Sequence, residues 1–292
     1  MNVLSLFDGM SCGQIALNQL GIEYENYFAS EIDPHAIKVT QHNYPNTKQI
    51  GSVTEVKGKD LPKIDLLFGG SPCQGFSFAG KQLNFDDPRS VLFFEFVRIL
   101  KETKPTFFLL ENVNMKQEFQ DVISDLLGIN PIRINSALLS AANRDRLYWT
   151  NIPNVDQPED KGIYLKDILE ELPYGIGIDR ELKHSFYRPT KGSKGIITLN
   201  PDGVKHRQTF QRGRVYDVEG KSPAMCCSIY AFKISKDHKH YRYLTLSECE
   251  KLHGVPDGYT KILSKAKRGE VLGNGWSVDV IAHIFKDLDI LI

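Results

Sequence analysis

The feature that most constrains the fold is a regular alternation of short apolar segments and helical segments through the first half of the chain. Uninterrupted apolar runs predict strands that are buried on both faces, whereas apolar residues spaced three and four apart predict helices. The predicted strands are Asn2–Phe7, Tyr24–Ile32, Ile64–Phe68, Thr106–Leu110, Arg133–Leu139 and Arg146–Thr150, and the predicted helices are Gly13–Leu20, Pro34–Asn43, Ser90–Leu100 and Gln117–Leu127. This alternation predicts an α/β fold with a doubly wound, mostly parallel sheet, in which ligands bind at the carboxyl ends of the strands.

The second half of the chain has a different texture. From about Asn151 onward Pro, Gly and Lys become frequent, and strands and helices no longer alternate. Regular structure returns with helices predicted at Thr245–His253 and Ser277–Leu288, from their apolar spacing. We therefore predict a main domain at 1–155, a second, smaller lobe at 160–240, and a C-terminal segment at 244–292 that returns to the main domain.

Charge is distributed unevenly, although the formal net charge is zero. Residues 179–242 hold fourteen Lys and Arg against six Asp and Glu, and the rest of the chain carries the compensating acidic excess. A basic block within a neutral protein favours one face that contacts a polyanion such as nucleic acid. The alternative is a solvated surface lobe without a partner.

Composition argues against a membrane protein and against a metal site. No apolar run approaches the ~18 residues that span a bilayer, and the first residues lack the features of a signal peptide. We therefore expect an intracellular, cytoplasmic protein without membrane contact. Five cysteines, without a CxxC pair, fit a reducing compartment and argue against a structural zinc site.

A candidate cofactor site follows the first two predicted strands. The first strand runs into residues 7–13, where a glycine-containing turn between strand and helix lets a ligand approach the backbone closely. The second strand ends in Glu31-Ile32-Asp33, and an acid at that place suits the two hydroxyls of a ribose. Because the phosphate-type GxGxxG spacing is absent, the sequence favours a nucleoside-type cofactor over NAD.

A candidate nucleophile, Cys73, lies in the segment 69–77, which follows another predicted strand. Glycines and a proline fix a sharp loop there, and the loop presents one thiol at the carboxyl end of the strand. A thiolate is the best side-chain nucleophile near neutral pH. Inert packing is the alternative for an isolated cysteine.

The sequence resembles the cytosine-C5 DNA methyltransferase family in a series of motifs that occur in the family's order. The matching segments are Phe7–Gly9, Ser71–Gln74, Glu111–Val113, Asn143–Arg146, Arg214–Tyr216, Gly220–Pro223, Leu246–Glu250, His253–Asp257 and Leu272–Val278. Ser140–Arg146 and Gly275–Val278 look most similar to the catalytic domains of the animal de novo DNA methyltransferases. The length instead resembles that of a compact bacterial or phage enzyme.

The resemblance implies the fold of the class I S-adenosylmethionine-dependent methyltransferases, with S-adenosylmethionine as cofactor. It implies methylation of C5 of a cytosine flipped out of double-stranded DNA, through a covalent adduct between Cys73 and C6. The implied catalytic residues are Cys73, Glu111, Arg144 and Arg146, and Asn112 is expected to brace the loop of Cys73. The implied cofactor residues are Phe7, Asp8, Gly9, Met10, Cys12, Gly13, Glu31, Ile32, Ser52, Val53, Pro72, Asn274 and Trp276.

The sequence departs from the family at three positions. Ser52 replaces an acid that holds the adenine amino group, so position 52 has no carboxylate for that contact. Ala142 replaces the glutamine that opens the paired-arginine motif, and Ser11 replaces the second glycine of the cofactor turn. None of the three departures removes a reacting group.

The smaller lobe is expected to recognise the DNA target. The stretch Ser185–Arg214 is predicted to consist of loops. Its candidate DNA contacts are Lys191, Lys194, Lys205, Arg207 and Arg212. Gln74 and Ser77 are expected to contact DNA beside the nucleophile. We expect a monomer that acts on double-stranded DNA in a bacterial or phage-infected cell, in a restriction–modification setting.

Two other functions remain open. One is an RNA (tRNA) cytosine-C5 methyltransferase, since the tRNA-modifying branch of the family shares the Glu-Asn-Val and Pro-Cys elements. The other is a catalytically silent scaffold that binds DNA.

Overall fold

The structure is a computed structural model that describes residues 1–71, 91–171, 180–181, 187–191, 195–201, 214–225 and 232–291. The chain divides into two compact units. The first unit comprises Met1–Asn135, Asp145–Pro158 and Val280–Ile292, and the second comprises Ser136–Arg144 and Glu159–Asp279. The finer domain boundaries that the sequence suggests stay a prediction.

A seven-stranded sheet forms the centre of the first unit, within the described part of the chain. Its strands are β1 (Asn2–Leu6), β2 (Asn26–Ser30), β3 (Lys48–Gln49), β4 (Leu66–Gly70), β5 (Phe107–Val113), β6 (Ile132–Asn135) and β7 (Asp145–Thr150). They lie in the order β3-β2-β1-β4-β5-β7-β6. All pairings among β1 to β5 are parallel, whereas β7 runs antiparallel to β5 and β6. The predicted mostly parallel sheet is therefore confirmed.

Helices connect strands of this sheet, because parallel strands need a long crossover connection. They are α1 (Cys12–Gln19), α2 (Pro34–Asn43), α3 (Val91–Thr103) and α4 (Gln117–Leu127). Helix α3 contributes Phe93 and Phe96 to a core that includes Leu6, Leu110 and Trp149, all of them fully buried. Each such side chain stabilises the fold by about 1.5–3 kcal/mol relative to exposure.

Two elements of the first unit differ from the sequence prediction. Strand β3 was not predicted, because Lys48 and Gln49 carry no apolar signal; the strand forms by pairing with Phe28 and Ala29 of β2. The strand predicted at Arg133–Leu139 is too long. It ends at Asn135, because Ser136–Leu138 forms a 3-10 turn.

The second unit contains a six-stranded sheet within the described residues, in the order β8-β13-β12-β11-β10-β9. Its strands are β8 (Arg180–Glu181), β9 (Tyr187–Lys191), β10 (Ile197–Pro201), β11 (Val215–Asp217), β12 (Lys233–Ser235) and β13 (His240–Tyr243). This unit also contains helices α5 (Leu165–Ile168), α6 (Leu246–Leu252) and α7 (Lys265–Asn274). Helix α8 (Val278–Phe285) begins in it and continues into the first unit, which contains α9 (Leu288–Leu291). Helix α6 begins with a capping box, in which Thr245 and Glu248 satisfy each other's backbone N–H groups.

The expectation that Ser185–Arg214 consists of loops was wrong for its described residues. Strands β9 and β10 lie within that stretch and pair antiparallel, with Thr190 opposite Thr198. Strand β9 shows no apolar alternation, β10 shows only the short alternation of Ile197 and Leu199, and Pro189 and Pro201 disfavour a strand. Such segments become strands through pairing with a neighbour rather than through their own propensity. No helix in the described part of the chain is both long enough and apolar enough to cross a lipid bilayer.

Candidate active site

The candidate site lies at one edge of the sheet in the first unit. Because β1 to β5 are parallel, their carboxyl ends all reach this edge. Strand β7 runs the other way and begins there, with Arg146 opposite Val113. The fold thus brings the cofactor turn (residues 7–13), Glu31, Ser71 and Glu111 to the same edge.

The cofactor turn has an unusual backbone. Phe7, Gly9 and Ser11 have positive φ angles of 58°, 58° and 65°. This conformation favours glycine and costs roughly 1–3 kcal/mol for other residues, and it is found mostly where ligands bind. Among the described atoms, none lies within 4 Å of the position of a Cβ on Gly9, so the turn leaves open space above its backbone.

The rest of the cofactor turn faces the protein interior. Met10 and Cys12 are buried, and a Cβ on Gly13 would lie 2.4 Å from the ring of Phe68. Glycine is therefore needed at position 13 for α1 to pack against β4. These three residues support the turn from behind.

Glu31 joins the cofactor turn to the end of β2. Its Oε2 accepts a hydrogen bond from Gly9 N at 2.7 Å, and its Oε1 accepts from Ile32 N at 2.7 Å and Asp33 N at 2.9 Å. A carboxylate can accept about four hydrogen bonds, so capacity remains for a hydroxyl. Beside it, the apolar side chain of Ile32 is 73% exposed. An acid next to an uncovered apolar surface fits the ribose and base of a nucleoside cofactor.

Asp8 has a buried carboxyl group behind the same turn. Its Oδ1 accepts a hydrogen bond from the Tyr27 hydroxyl at 2.7 Å, whereas the buried Oδ2 has no partner among the described residues. Burial raises the pKa of Asp8 to about 6, although the nearby hydroxyl groups of Ser5, Tyr27 and Ser11 lower it. The sequence does not reveal the part played by Tyr27, because its spacing in β2 is that of an ordinary core residue.

Ser52 and Val53 follow β3 at the expected place. Val53 is buried in the core, and the Ser52 hydroxyl lies 2.8 Å from the Thr54 hydroxyl oxygen. Position 52 can therefore offer a hydroxyl group, rather than a carboxylate, to an adenine.

Four predicted site residues, Pro72, Cys73, Gln74 and Ser77, lie outside the described residues. Ser71, which directly precedes them, is buried and accepts a hydrogen bond from Asn112 Nδ2 at 3.1 Å. Asn112 Oδ1 in turn accepts from Val113 N at 2.8 Å. Asn112 thereby holds Ser71, the last described residue before the segment that contains Cys73.

Glu111 and Arg146 form a nearly buried ion pair. Arg146 Nε lies 2.9 Å from Glu111 Oε1, and the side chains of Glu111 and Arg146 are 10% and 17% exposed. Glu111 is opposite Gly70 in the register between β5 and β4. Breaking this pair would leave a buried charge without its partner, which is costly. The contact therefore holds the Glu111 carboxylate in one orientation. The sequence names both residues, but their contact depends on the pairing of β5 with β7.

Arg144, Asn274 and Trp276 belong to the second unit. Arg144 is buried and donates from Nη1 to Gly273 O at 3.3 Å. Asn274 is the last residue of α7, and Trp276 follows it.

The predicted DNA contacts of the lobe are not brought together in the described residues. Lys191 is the last residue of β9, while Lys194, Lys205, Arg207 and Arg212 lie outside the described ranges. Within those ranges no group of three His, Cys, Asp or Glu side chains could hold a metal ion.

Comparison with known proteins identifies the family. Residues 1–128 and 138–289 match the family described as C-5 cytosine-specific DNA methylase. The chain belongs to this family. The type II methyltransferase M1.ScrFI of Lactococcus lactis subsp. cremoris is 39% identical over 316 residues, which cover 98% of this chain and 77% of that protein.

Other relatives match over shorter stretches or in fold. The orphan methyltransferase M.SPRI of Bacillus phage SPR is 39% identical over 165 residues, or 52% of this chain. The match spans only 38% of the length of M.SPRI. A putative DNA modification methyltransferase encoded in an E. coli prophage has a similar structure, with a TM-score of 0.71 at 23% identity, covering 100% of this chain and 99% of its own. This similarity confirms the predicted methyltransferase fold.

Proposed function

We propose that the protein transfers a methyl group from S-adenosylmethionine to C5 of cytosine in double-stranded DNA. The observation that carries the proposal is the juxtaposition at one sheet edge of two features. One is the cofactor turn, which is hydrogen-bonded to Glu31. The other is the buried ion pair of Glu111 and Arg146, in which Glu111 lies opposite Gly70 at the end of β4, the strand that precedes Cys73. Membership of the cytosine-specific family supports the same reaction.

The chemistry requires activation of the cytosine ring, because C5 is too weak a nucleophile on its own. The Cys73 thiolate adds to C6, and the electron pair of the C5–C6 double bond moves toward C5 and N3. Glu111 takes up a proton from solvent and passes it to N3, which prevents negative charge from building up on the ring. After methylation the C5 proton leaves to solvent, the double bond reforms, and the Cys73 thiolate is expelled as N3 returns its proton to Glu111.

The cofactor site is proposed to be built from the turn at Phe7–Gly9 with Glu31 and Ile32. When bound, S-adenosylmethionine supplies an electrophilic methyl group that C5 accepts. Glu31 is already oriented by three backbone N–H groups, so it can meet the ribose hydroxyls without rearrangement. The hydroxyl of Ser52 is left to meet the adenine amino group.

Arg146 is proposed to serve both Glu111 and the base. Its Nε is engaged by the carboxylate, and Nη1 donates to Asp145 O at 2.9 Å. A guanidinium has five N–H donors, so others remain for the cytosine O2. Because addition of Cys73 to C6 needs the face of the ring, the base has to leave the duplex.

We propose that the DNA lies against the smaller lobe (160–240) and that the flipped base reaches Cys73 and Glu111. Fourteen cationic residues in 179–242 support an electrostatic contribution to binding. The relatives from Bacillus phage and Lactococcus support a bacterial or phage setting.

The decisive experiment is methylation by the purified protein, with duplex DNA and tRNA offered separately. We expect 5-methylcytosine in duplex DNA only, and bisulfite sequencing of the product then gives the target sequence. DNA that carries 5-fluorocytosine should form a stable adduct with the wild-type protein and none with Cys73→Ser, since fluorine cannot leave as the proton does. Methylation of tRNA alone would establish the RNA alternative, and no transfer to either would refute the proposal.

A further inference from the structure

The residues that end in Arg144 form a closed loop, Ser136–Arg144, which we call the arginine loop. Ser136 joins its two ends. Ser136 N donates to Arg144 O at 3.0 Å, and the Ser136 hydroxyl accepts from Arg144 N at 3.1 Å. The same hydroxyl donates to Ala142 O at 2.6 Å. The position of Arg144 therefore depends on the shape of the whole loop.

Lys221 places a buried ammonium group inside this loop. Its side chain is 5% exposed, and Nζ donates to Ala137 O at 2.6 Å and to Ser140 O at 3.2 Å. Nζ also lies 5.1 Å from the centre of the Tyr164 ring and 3.7 Å from Asp160 Oδ1. Burial lowers the pKa of Lys221, and the nearby Asp160 opposes that change. A cation is costly to bury, so a position like this is kept only where its contacts compensate.

The backbone around Lys221 is fixed on both sides. A Cβ on Gly220 would lie 2.7 Å from Ile197 N, so only glycine lets this segment approach β10 so closely. Lys221 N itself donates to Gly195 O at 2.9 Å. On the other side, Ser222 N donates to Ala141 O at 2.7 Å and Ser222 O accepts from Asn143 N at 2.8 Å. Lys221 thus reaches the arginine loop from a rigid base.

The arginine loop in turn aims Arg144 at the end of α7. Arg144 Nη1 donates to Gly273 O, directly before Asn274. We propose that Lys221 is a positioning residue, whose ammonium group holds the arginine loop in the shape that directs Arg144 for methyl transfer. This inference rests on the proposed function. It explains why a lysine, rather than an apolar residue, fills a buried place in the motif Gly220–Pro223.

The first test needs no activity. Amide hydrogen exchange compares the wild type with Lys221→Met and with the matched control Lys166→Met. Lys166 lies 6.0 Å from the same Tyr164 ring, but its side chain is 47% exposed and pairs with Glu219. Lys221→Met should speed exchange of the Asn143 and Arg144 amides about tenfold or more, because hydrogen bonds to a charged group are lost. The control should leave these amides unchanged. Equal protection in all three proteins would overturn the inference.

The second test uses a double-mutant cycle with Arg144→Lys. In single-turnover methylation at saturating DNA and cofactor, Lys221→Met should slow transfer about tenfold or more, while the dissociation constant of S-adenosylmethionine stays within about twofold. In the Arg144→Lys background the same substitution should have little further effect. An equal loss in both backgrounds would show that Lys221 only stabilises the fold, and the inference would be wrong.

The tests distinguish a variant that fails to fold from a failure of the proposed function. If Lys221→Met does not fold, Lys221→Gln, which keeps a hydrogen-bond donor without the charge, takes its place in both tests. If the wild-type protein methylates no nucleic acid, the proposed function fails, and with it the catalytic half of the inference. The exchange data would still decide whether Lys221 holds Arg144.

Discussion

Replacing Asp8 with asparagine should remove one contribution to the pH dependence of stability, which falls between about pH 4 and pH 6. The carboxyl group is buried, and its pKa in the folded protein is about 6, against an ordinary value of 3.8. The folded state therefore holds this proton more tightly than the unfolded state. The contribution of the neutral group to stability is complete below about pH 4 and is lost as the pH rises through the folded pKa of about 6.

The size of the effect follows from the pKa difference. About two units correspond to roughly 3 kcal/mol of unfolding free energy, at about 1.36 kcal/mol per unit. Asparagine has nearly the same shape and keeps an oxygen that accepts from Tyr27, but it does not ionise. Any cost of its new amide group is the same at pH 4 and pH 7, so it cancels from the comparison between the two pH values.

The assay is urea denaturation of the wild type and Asp8→Asn at intervals from pH 4 to pH 7.5, with the slope m checked for constancy. We expect the stability of Asp8→Asn relative to wild type to rise by up to about 3 kcal/mol over this range. Tyr27→Phe removes one of the hydroxyl groups that lower the Asp8 pKa, so it should move the loss of stability to higher pH. Parallel curves for wild type and Asp8→Asn would refute the assignment of the titration to Asp8.

Three further predictions concern the cofactor site and the nucleophile. Cys73→Ser should abolish methylation while DNA and cofactor binding survive; a rate within about tenfold of wild type would contradict the covalent mechanism. Glu31→Ala should weaken S-adenosylmethionine binding about ten- to hundredfold by calorimetry, because a charged hydrogen-bond acceptor is lost; unchanged affinity would move the ribose contact elsewhere. Gly13→Ala should lower the unfolding free energy by about 1–3 kcal/mol, since its Cβ would lie 2.4 Å from the Phe68 ring, and an unchanged denaturation midpoint would show that the ring can move aside.

The central strands could be predicted from sequence because burial on both faces leaves uninterrupted apolar runs. Leu66–Phe68 and Phe107–Leu110 carry that signal directly. Strands β3 and β9 carry none, since they consist mostly of polar residues and a proline, and β10 carries only the short alternation of Ile197 and Leu199. Their strand conformation is decided by the neighbour they pair with, which local sequence does not encode.

In the candidate site, the identity of individual residues could be predicted from sequence, but their contacts could not. Glu31 could be proposed from sequence because it is an acid at the end of a predicted strand, and Glu111 because Glu111–Val113 resembles a family motif. The partners of these acids could not, because Gly9 reaches Glu31, and Arg146 reaches Glu111, only through strand order and register. Spacing along the chain says nothing about which atoms of the two segments meet.

The departures from the family at Ser11 and Ser52 have different physical consequences. Ser11 adopts the left-handed conformation that suits glycine, and its hydroxyl accepts a hydrogen bond from Gln14 Nε2 at 2.7 Å. Gln14 is itself fixed, because it donates to Thr47 at 2.8 Å and accepts from the Tyr24 hydroxyl at 2.9 Å. Strain at Ser11 is thus offset within the protein, and the turn keeps its shape. At Ser52 no hydrogen bond within the described residues replaces the missing negative charge. The exchange of a carboxylate for a hydroxyl should therefore weaken binding of the cofactor rather than destabilise the fold. Ser52→Asp should therefore tighten cofactor binding, whereas Ser11→Gly should change stability and leave affinity alone; equal effects of both on affinity, measured by calorimetry, would contradict this distinction.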